Sequence, residues 1–289
     1  MDANSIQKAA VLGAGTMGHG IAQVLAMCGI ETTLFDVDGE AVERGIARVR
    51  ANLDKGVERG KVEASLRDEA SARLGGATDL GAAIEGAGVV IEAVPERIEL
   101  KRTIFEELGR SLGPEVLLAT NTSSLSVTEI ASAAAHPERV VGMHFFNPVH
   151  IMKLVEVVRG EASSEEAVRT ALDLASRMGK EPIDVADAPG FASSRLGIAI
   201  GMEAIRMVEE GVASPADIDK AMTLGYGFPM GPLRLTDLVG LDVRLSIAEY
   251  LSGTLGPRFE PPALLRKMVE EGKLGRKSGE GFYDWSEGA

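Results

Sequence analysis

The chain of 289 residues has little cysteine, few aromatic residues and no long apolar run. Its single cysteine, Cys28, excludes an intramolecular disulfide and a cysteine-rich zinc site, and indicates a reducing compartment. Aromatic residues make up only 4% of the chain, which predicts an aliphatic core. No apolar run approaches the roughly 20 residues of a membrane helix, and the N-terminal segment lacks the features of a secretory signal. We therefore expect a cytoplasmic protein without a membrane partner.

Positive charge is also scarce. Lysine and arginine number 30, aspartate and glutamate 43, and the formal net charge is −13. Such a surface repels the phosphates of nucleic acids over most of its area, so no nucleic-acid partner is expected. Glycine is abundant by contrast: 34 of the 289 residues are glycine, well above the usual share of about 7%. This excess predicts many tight turns between strands and helices.

Short apolar runs alternate with amphipathic segments in the first part of the chain. The strand-like runs cover residues 8–12, 32–35, 89–93, 116–119, 140–144 and 154–158, and the predicted helices cover residues 17–29, 39–58, 58–72 and 98–112. Strands that alternate with helices predict βαβ units and a mainly parallel sheet.

The pattern changes near residues 182–189. The segments beyond are long and helical, at residues 191–210, 215–224, 231–255 and 262–271, with a last strand-like run at residues 281–285. We therefore expect an α/β domain over residues 1–186 and an all-α domain over residues 187–289.

A GxGxxG sequence, Gly13-Ala14-Gly15-Thr16-Met17-Gly18, joins the first predicted strand to the first predicted helix. The first glycine permits the tight turn, the second lets the backbone approach a pyrophosphate, and the third allows the helix to pack closely on the strand. The helix N-terminus offers its N–H groups to the phosphates. The motif also fits a plain glycine-rich turn, but its place between strand and helix favours a dinucleotide site on a Rossmann-type domain.

Asp36 ends the next predicted strand, 18 residues beyond Gly18. A carboxylate at this place accepts hydrogen bonds from ribose hydroxyls and repels a 2′-phosphate, which favours NAD over NADP. The alternative is a solvated acidic residue in a turn.

His144 and Glu156 both lie in apolar strand-like runs. His144 ends the run at residues 140–144, and ligands of open α/β sheets bind beyond the carboxyl ends of the strands. Glu156 lies inside the run at residues 154–158, where a carboxylate is costly unless it is paired. An imidazole from a neighbouring strand is a suitable partner, and the pair predicts a proton acceptor for hydride chemistry. The alternative is a structural histidine, with Glu156 facing solvent from an edge strand.

The polar cluster Asn121-Thr122-Ser123-Ser124 follows the strand-like run at residues 116–119. Such a cluster at the carboxyl end of a strand can reach a nicotinamide and a substrate oxygen. The cluster fits equally well as the N-cap of the next helix. We interpret Ser126 and Thr128, which follow it, as capping residues and not as active-site residues.

The whole chain resembles the 3-hydroxyacyl-CoA dehydrogenase family, most of all its short bacterial 3-hydroxybutyryl-CoA members. The resemblance runs nearly from end to end. It rests on GAGTMGHG at 13–20, NTSSLSV at 121–127, HFFNPVHIMKLVEVV at 144–158, DAPGF at 187–191, GPLRLTDLVGLD at 231–242 and GRKSGEGFYDW at 275–285.

This resemblance implies an NAD-dependent enzyme of fatty-acid or butanoate metabolism that interconverts (S)-3-hydroxyacyl-CoA and 3-oxoacyl-CoA. His144 would be the catalytic acid and base, Glu156 its orienting carboxylate, and Ser123 a hydrogen-bond donor to the C3 oxygen of the substrate. The family also implies a homodimer formed through the C-terminal domain. The acyl chain length and the physiological direction are not implied.

The resemblance assigns further binding residues. The cofactor would contact Gly13, Ala14, Gly15, Thr16, Met17, Gly18, Asp36, Glu96, Lys101, Ser123, Asn147 and Lys277. The acyl-CoA would contact Ser123, Asn147, Ser194 and a basic residue among Lys55, Arg59 and Lys61. Ser194 departs from the family, which commonly has asparagine there, so positioning and acyl preference are open at this point.

Two other functions fit the same residues. One is a hydroxyacid, sugar-acid or carnitine dehydrogenase on the same fold. The other is a catalytically silent NAD-binding protein, against which we count the retention of Glu156 inside an apolar strand.

Overall fold

A computed structural model describes residues 2–286 of the chain. The chain divides into two compact units, Met1–Ala188 and Pro189–Ala289. Among the described residues, no helix combines the length and the apolar character needed to cross a bilayer.

The first unit contains one sheet of eight strands in the order β3-β2-β1-β4-β5-β6-β7-β8. The strands are β1 Lys8–Leu12, β2 Glu31–Phe35, β3 Leu74–Ala77, β4 Val89–Glu92, β5 Leu117–Thr120, β6 Val140–Phe145, β7 Leu154–Arg159 and β8 Glu181–Ala186. Every neighbouring pair is parallel except β6 and β7, which are antiparallel. This arrangement confirms the predicted Rossmann-type, mainly parallel sheet.

Seven helices accompany the sheet. They are α1 Gly18–Met27, α2 Gly39–Glu58, α3 Ala64–Ala72, α4 Leu80–Ile84, α5 Ile98–Ser111, α6 Val127–Ala131 and α7 Glu165–Arg177. Two separate clusters of buried aliphatic side chains pack in this unit, one around Val11 and Ile91 and the other around Leu12 and Val90. Successive residues of one strand point to opposite faces, so both faces of the sheet are covered.

The strand order reverses between β1 and β4, which are neighbours although two strands lie between them in sequence. In such sheets ligands bind beyond the carboxyl ends of the strands at the reversal point. The loops after β1, β4, β5 and β6 therefore define the edge where the site is expected.

The second unit is helical. Its helices are α8 Ser193–Glu209, α9 Pro215–Gly225, α10 Pro232–Val239, α11 Leu241–Leu255 and α12 Ala263–Glu270. The prediction of one helix over residues 231–255 is wrong, because Gly240 has a φ of 105° and separates α10 from α11. A helix cannot continue through that backbone conformation.

Other boundaries also differ from the sequence prediction. Gly60, with a φ of 62°, turns the chain within the segment predicted as continuous helix from residue 58, and α3 begins only at Ala64. Among the described residues, the final strand-like run at 281–285 forms no strand and one isolated bridge, between Glu280 and Asp284. The strands β3 and β8 and the helices α4 and α7 were not predicted.

Candidate active site

His144 on β6 and Glu156 on β7 lie directly opposite each other in the antiparallel register. The His144 Nδ1 atom is 2.7 Å from Glu156 Oε2. Glu156 has no exposed surface and His144 is 6% exposed. The alternative in which Glu156 faces solvent from an edge strand is therefore wrong, since β8 pairs with the other side of β7.

This contact orients the imidazole. A carboxylate accepts hydrogen bonds only, so Nδ1 carries the proton that Glu156 accepts, and Nε2 is the nitrogen suited to exchange a proton with a substrate. The ring of Phe146 lies 4.5 Å from the His144 ring, centroid to centroid, and packs at a tilt of 48°. Both contacts restrict the ring to one orientation, as a general acid and base requires.

Asn121 connects the ends of two neighbouring strands. It follows β5, and its side-chain Oδ1 accepts a hydrogen bond from the backbone N–H of Phe145 at 2.9 Å. The residue is buried. Asn121 therefore fixes the end of β6 one residue beyond His144, a positioning role that the sequence prediction of the polar cluster did not assign.

The rest of the polar cluster is held by Glu96. The Glu96 Oε1 atom accepts hydrogen bonds from Thr122 Oγ1 at 2.6 Å and from the backbone N–H of Ser123 at 2.8 Å. The N-cap of α6 is Ser126, whose side chain accepts from the N–H of Glu129. The alternative in which residues 121–124 form the N-cap is therefore wrong, and Glu96 sets the position of Ser123.

Glu96 is itself exposed but contacts a buried pair of charges, Lys101 and Glu92. The Lys101 Nζ atom is 2.7 Å from Glu92 Oε1 and 3.3 Å from Glu96 Oε2, and neither Lys101 nor Glu92 has exposed surface. The other oxygen of Glu92 accepts from Thr120 Oγ1 at 2.7 Å. The sequence analysis assigned Lys101 a direct contact with the cofactor. In the structure its buried ammonium forms ion pairs with Glu92 and Glu96 and so helps to hold the Glu96 carboxylate in place.

Sequence reasoning missed Glu92. The available signal was the same as at Glu156, a carboxylate at an apolar strand that must find a partner. The partner, Lys101, sits on α5, and the sequence does not show which face of that helix meets the sheet.

The three glycines of the GxGxxG loop meet different surroundings. A Cβ atom on Gly13 would lie 2.6 Å from the Ala93 carbonyl oxygen, and one on Gly18 would lie 1.7 Å from the Gly13 carbonyl oxygen. A Cβ atom on Gly15 would meet nothing within 4 Å. The fold itself thus requires glycine at the first and third positions, whereas the space in front of Gly15 suits a group that approaches from outside, such as a pyrophosphate.

The start of α1 offers donors to that space. Met17 occupies the N-cap of α1, and no side chain caps the first turn. Thr16 is exposed beside it. Uncapped N–H groups and the positive end of the helix dipole suit a phosphate, so the loop fits the pyrophosphate of NAD.

Asp36 lies against this loop. Its Oδ2 atom accepts a hydrogen bond from the backbone N–H of Ala14 at 2.9 Å, and its Oδ1 atom accepts from the N–H of Asp38 at 3.2 Å. The carboxylate is therefore held beside the glycine loop, where a ribose of the dinucleotide would lie and a 2′-phosphate would meet its negative charge.

Lys55, Arg59 and Lys61 line one pocket. Its volume is about 420 Å³, and His150 and Ile151 are also among its lining residues. All three basic side chains are exposed. The structure thus places these cations around one concave surface formed by the end of α2 and the turn that follows, as a ligand with several phosphates would need.

Three further residues were predicted for the site. Asn147 is exposed and precedes the cis peptide bond to Pro148. In the second unit, Ser194 lies in the first turn of α8, and the Lys277 Nζ atom is 2.5 Å from a carboxylate oxygen of Asp242. Burial by itself raises the pKa of Asp242. Hydrogen bonds from Lys277 and from backbone N–H groups lower it by more, so the pKa lies below its ordinary value.

The chain is similar to known proteins along nearly its whole length. Residues 8–188 match the family model described as 3-hydroxyacyl-CoA dehydrogenase, NAD binding domain, and residues 190–285 match the model of the C-terminal domain of the same family. A Bacillus subtilis protein named "Probable 3-hydroxybutyryl-CoA dehydrogenase" is 47% identical over 98% of this chain and 98% of its own. A Mycobacterium tuberculosis 3-hydroxybutyryl-CoA dehydrogenase is 43% identical over 98% of this chain and 99% of its own.

A solved structure is similarly close. The (S)-3-hydroxybutyryl-CoA dehydrogenase of Ralstonia eutropha superimposes with a TM-score of 0.93 and is 39% identical. The match covers 97% of this chain and 99% of that one. Both units of the chain thus have counterparts in a single protein of the same length and fold.

Proposed function

Because the chain belongs to the 3-hydroxyacyl-CoA dehydrogenase family and carries its NAD-binding domain, we propose that it interconverts (S)-3-hydroxybutanoyl-CoA and 3-oxobutanoyl-CoA. The contact between His144 and Glu156 carries the proposal, since it supplies an oriented proton acceptor at the end of a central strand. The relatives named as 3-hydroxybutyryl-CoA dehydrogenases support the short acyl chain.

His144 acts as general acid and base in this mechanism. The Nε2 atom takes the proton of the substrate C3 hydroxyl while the hydrogen on C3 leaves as a hydride. Bound NAD supplies the acceptor for that hydride. Glu156 stabilises the positive charge on the imidazolium and keeps its ring in place. In the reverse direction, the imidazolium returns the proton to the ketone oxygen.

Ser123 and the loop around it position the substrate. The Ser123 hydroxyl donates a hydrogen bond to the C3 oxygen and so favours the charge that develops there during hydride transfer. Glu96 holds the Ser123 backbone, which supports this role. Asn147 and Lys277 are the further contacts that we propose for the cofactor and its surroundings.

The two phosphate-bearing ligands bind at different places. The glycine loop at residues 13–18 takes the pyrophosphate of NAD, and Asp36 takes the adenosine ribose. Lys55, Arg59 and Lys61 take the phosphates of CoA, a role supported by their grouping around one pocket. Ser194 contacts the acyl part of the substrate.

We also propose a cytoplasmic homodimer formed through the helical unit. Leu196, Leu224 and Tyr226 of this unit are exposed by 63%, 84% and 78%. An apolar pocket of about 360 Å³ lies between α8 and α9 and is lined in part by Met207 and Ile218. Apolar surface of this kind is typical of an interface. Sedimentation of the purified chain at a fixed concentration tests this part.

The direct test is His144→Gln in an assay of NADH oxidation with acetoacetyl-CoA. We expect the rate to fall by about 10²- to 10⁴-fold, the usual contribution of a general acid and base. His136→Gln is the matched control, because His136 is partly exposed, contacts Glu138 and precedes the amino end of β6, whereas His144 lies near its carboxyl end. An unchanged rate in His144→Gln would falsify the mechanism, and equal wild-type rates on acetoacetyl-CoA and free acetoacetate would favour a hydroxyacid enzyme instead.

A further inference from the structure

Lys180 is a buried lysine whose ammonium group contacts backbone carbonyls. It lies between the end of α7 and the start of β8, and only 8% of its surface is exposed. Its Nζ atom donates hydrogen bonds to the carbonyl oxygens of Val149 and Met152, the second at 2.9 Å. Burial lowers the pKa of this ammonium, and no carboxylate among the described residues opposes the effect. The fold thus keeps a charge at a place where desolvation makes it costly.

Both carbonyls belong to the turn at residues 148–152, which lies between β6 and β7. Inside this turn the Pro148 carbonyl accepts hydrogen bonds from the N–H groups of Ile151 and Met152, at 3.0 and 2.9 Å. The Val149 and Met152 carbonyls have no backbone N–H partner among the described residues. A lysine side chain can satisfy carbonyls at the end of a helical turn. Lys180 is therefore the group that closes this turn.

The turn forms part of the wall of a pocket. Its residues His150 and Ile151 line the pocket of about 420 Å³ that Lys55, Arg59 and Lys61 also line. The Ile151 side chain is 63% exposed, so a ligand in the pocket can contact it. The turn thus supplies an imidazole and an aliphatic side chain to the same concave surface that carries the three cations.

A second contact holds the same turn against α1. A Cβ atom on Gly20 would lie 2.8 Å from the Cβ atom of Val149, which is buried. Val149 is therefore held at its side chain by α1 and at its carbonyl by Lys180. The next residue, His150, lies near the same ammonium, because burial first, then the charge of His19 and then that of Lys180 lower the pKa of its imidazole.

Resting on the proposed function, we propose that Lys180 is a positioning residue for acyl-CoA. Its ammonium holds the turn at residues 148–152 in the conformation that places His150 and Ile151 against the nucleotide part of CoA, whose phosphates the three cations of the pocket take. Binding then orders little of the wall, because the turn is already fixed before the ligand arrives. The charge of Lys180 adds to the positive potential of the pocket, which favours phosphates.

The test is Lys180→Met in the full-length chain, assayed as NADH oxidation with two substrates. One is acetoacetyl-CoA, and the other is acetoacetyl-pantetheine, which lacks the nucleotide and its phosphates. Methionine keeps the unbranched stem and donates no hydrogen bond. We expect the KM for acetoacetyl-CoA to rise about tenfold, because two wall side chains must then be ordered on binding. The KM for acetoacetyl-pantetheine, the KM for NADH and kcat should stay near their wild-type values, since the turn contacts only the nucleotide part.

Lys153→Met is the matched control. Lys153 follows the same turn, and its Nζ atom lies 3.1 Å from Glu181 Oε1 in an ion pair whose side chains are both largely exposed. This variant makes the same change of charge without removing a hydrogen bond to the turn, so the KM for acetoacetyl-CoA should hold. Lys180→Gln keeps two N–H donors on a side chain that is one bond shorter, and we expect an intermediate KM. It also replaces Lys180→Met in the test if that variant does not fold.

A double-mutant cycle separates positioning from a structural role. In the background His150→Ala/Ile151→Ala the wall is already lost, so adding Lys180→Met should raise the KM for acetoacetyl-CoA much less than in the wild type. An equal rise in both backgrounds, an equal rise with acetoacetyl-pantetheine, or an unchanged KM in Lys180→Met overturns the proposal.

The proposed function fails separately. If the wild type turns over neither substrate, the proposed function is refuted, and the role of Lys180 is then decided by calorimetric titration with CoA itself. A Kd that is about tenfold weaker in Lys180→Met and unchanged in Lys153→Met supports the positioning role. Equal values of Kd in the wild type and Lys180→Met overturn it.

Discussion

At the scale of single residues, two buried carboxylates organise the site. Glu156 and Glu92 both lie in strands and have no exposed surface. The partner of Glu156 was predicted from the sequence. A carboxylate inside an apolar strand requires a partner, and His144, at the end of another predicted strand, is a suitable one. The partner of Glu92 was not predictable, since it depends on how α5 is rotated against the sheet.

Glu92→Gln tests whether the buried cluster positions Ser123. The change leaves the buried ammonium of Lys101 with only Glu96, at 3.3 Å. Loss of one partner of a buried ion pair typically costs about 3 kcal/mol or more, so we expect the free energy of unfolding to fall by that order. We also expect a higher KM for NADH, because Glu96 is drawn away from the Ser123 N–H. Urea unfolding and steady-state kinetics measure both effects.

The control is Thr120→Val, which removes only the hydrogen bond to the other oxygen of Glu92. It should cost about 1 kcal/mol and leave the KM for NADH near the wild-type value. The double variant Glu92→Gln/Lys101→Met removes both charges and should recover most of the lost stability. If Glu92→Gln proves as stable as the wild type, the cluster does not support the loop.

A prediction at the same scale concerns Asp36, to which we assign the choice between NAD and NADP. Asp36→Asn keeps an acceptor for the Ala14 N–H but removes the negative charge beside the ribose. We expect the ratio of NADPH to NADH turnover, measured as kcat/KM, to rise about tenfold, the effect of losing one hydrogen bond to a charged group. A wild-type enzyme that already prefers NADPH would contradict the role given to this carboxylate.

At the scale of elements, the predictions succeeded where periodicity or caps were strong. The start of α2 at Gly39 was predicted from its long amphipathic pattern, and Asp38 accepts from the Glu40 N–H there, whereas the helix predicted beyond residue 58 begins only at Ala64. The strand β3 reads Leu-Gly-Gly-Ala and offers no alternation, and β8 carries a proline and exposed side chains. Such strands are recognised by what they pair with, which a single sequence does not reveal.

The GxGxxG loop yields a prediction at this scale. Gly15→Ala adds a methyl group into open space, so the urea midpoint should hold while the KM for NADH rises about tenfold or more, as for a ligand pushed from a close backbone contact. Gly18→Ala would place its Cβ atom 1.7 Å from the Gly13 carbonyl oxygen and should unfold the protein at lower urea. Equal effects of both changes on stability would show that Gly15 serves the fold and not a ligand.

At the scale of the whole molecule, the net charge of −13 opposes the binding of two anionic ligands. Screening limits this opposition, because the Debye length is about 8 Å at physiological ionic strength. Charges close to each ligand therefore decide its binding. In the function that we propose, these are the dipole of α1 and its N–H groups for NAD, and Lys55, Arg59 and Lys61 for CoA.

Neutralising the three cations together should weaken the binding of acetoacetyl-CoA much more than the binding of NADH. In the variant Lys55→Gln/Arg59→Gln/Lys61→Gln we expect the KM for acetoacetyl-CoA to rise about tenfold, since each exposed contact contributes about 0.5 to 1 kcal/mol. The KM for NADH should change far less, and the rise of the acetoacetyl-CoA KM with added salt should flatten. A control with the same charge change at Arg44, Arg110 and Lys153 shifts the net charge equally but lies outside the pocket. If that control raises the KM for acetoacetyl-CoA as strongly, the charge of the whole molecule controls CoA binding, and the local cluster does not.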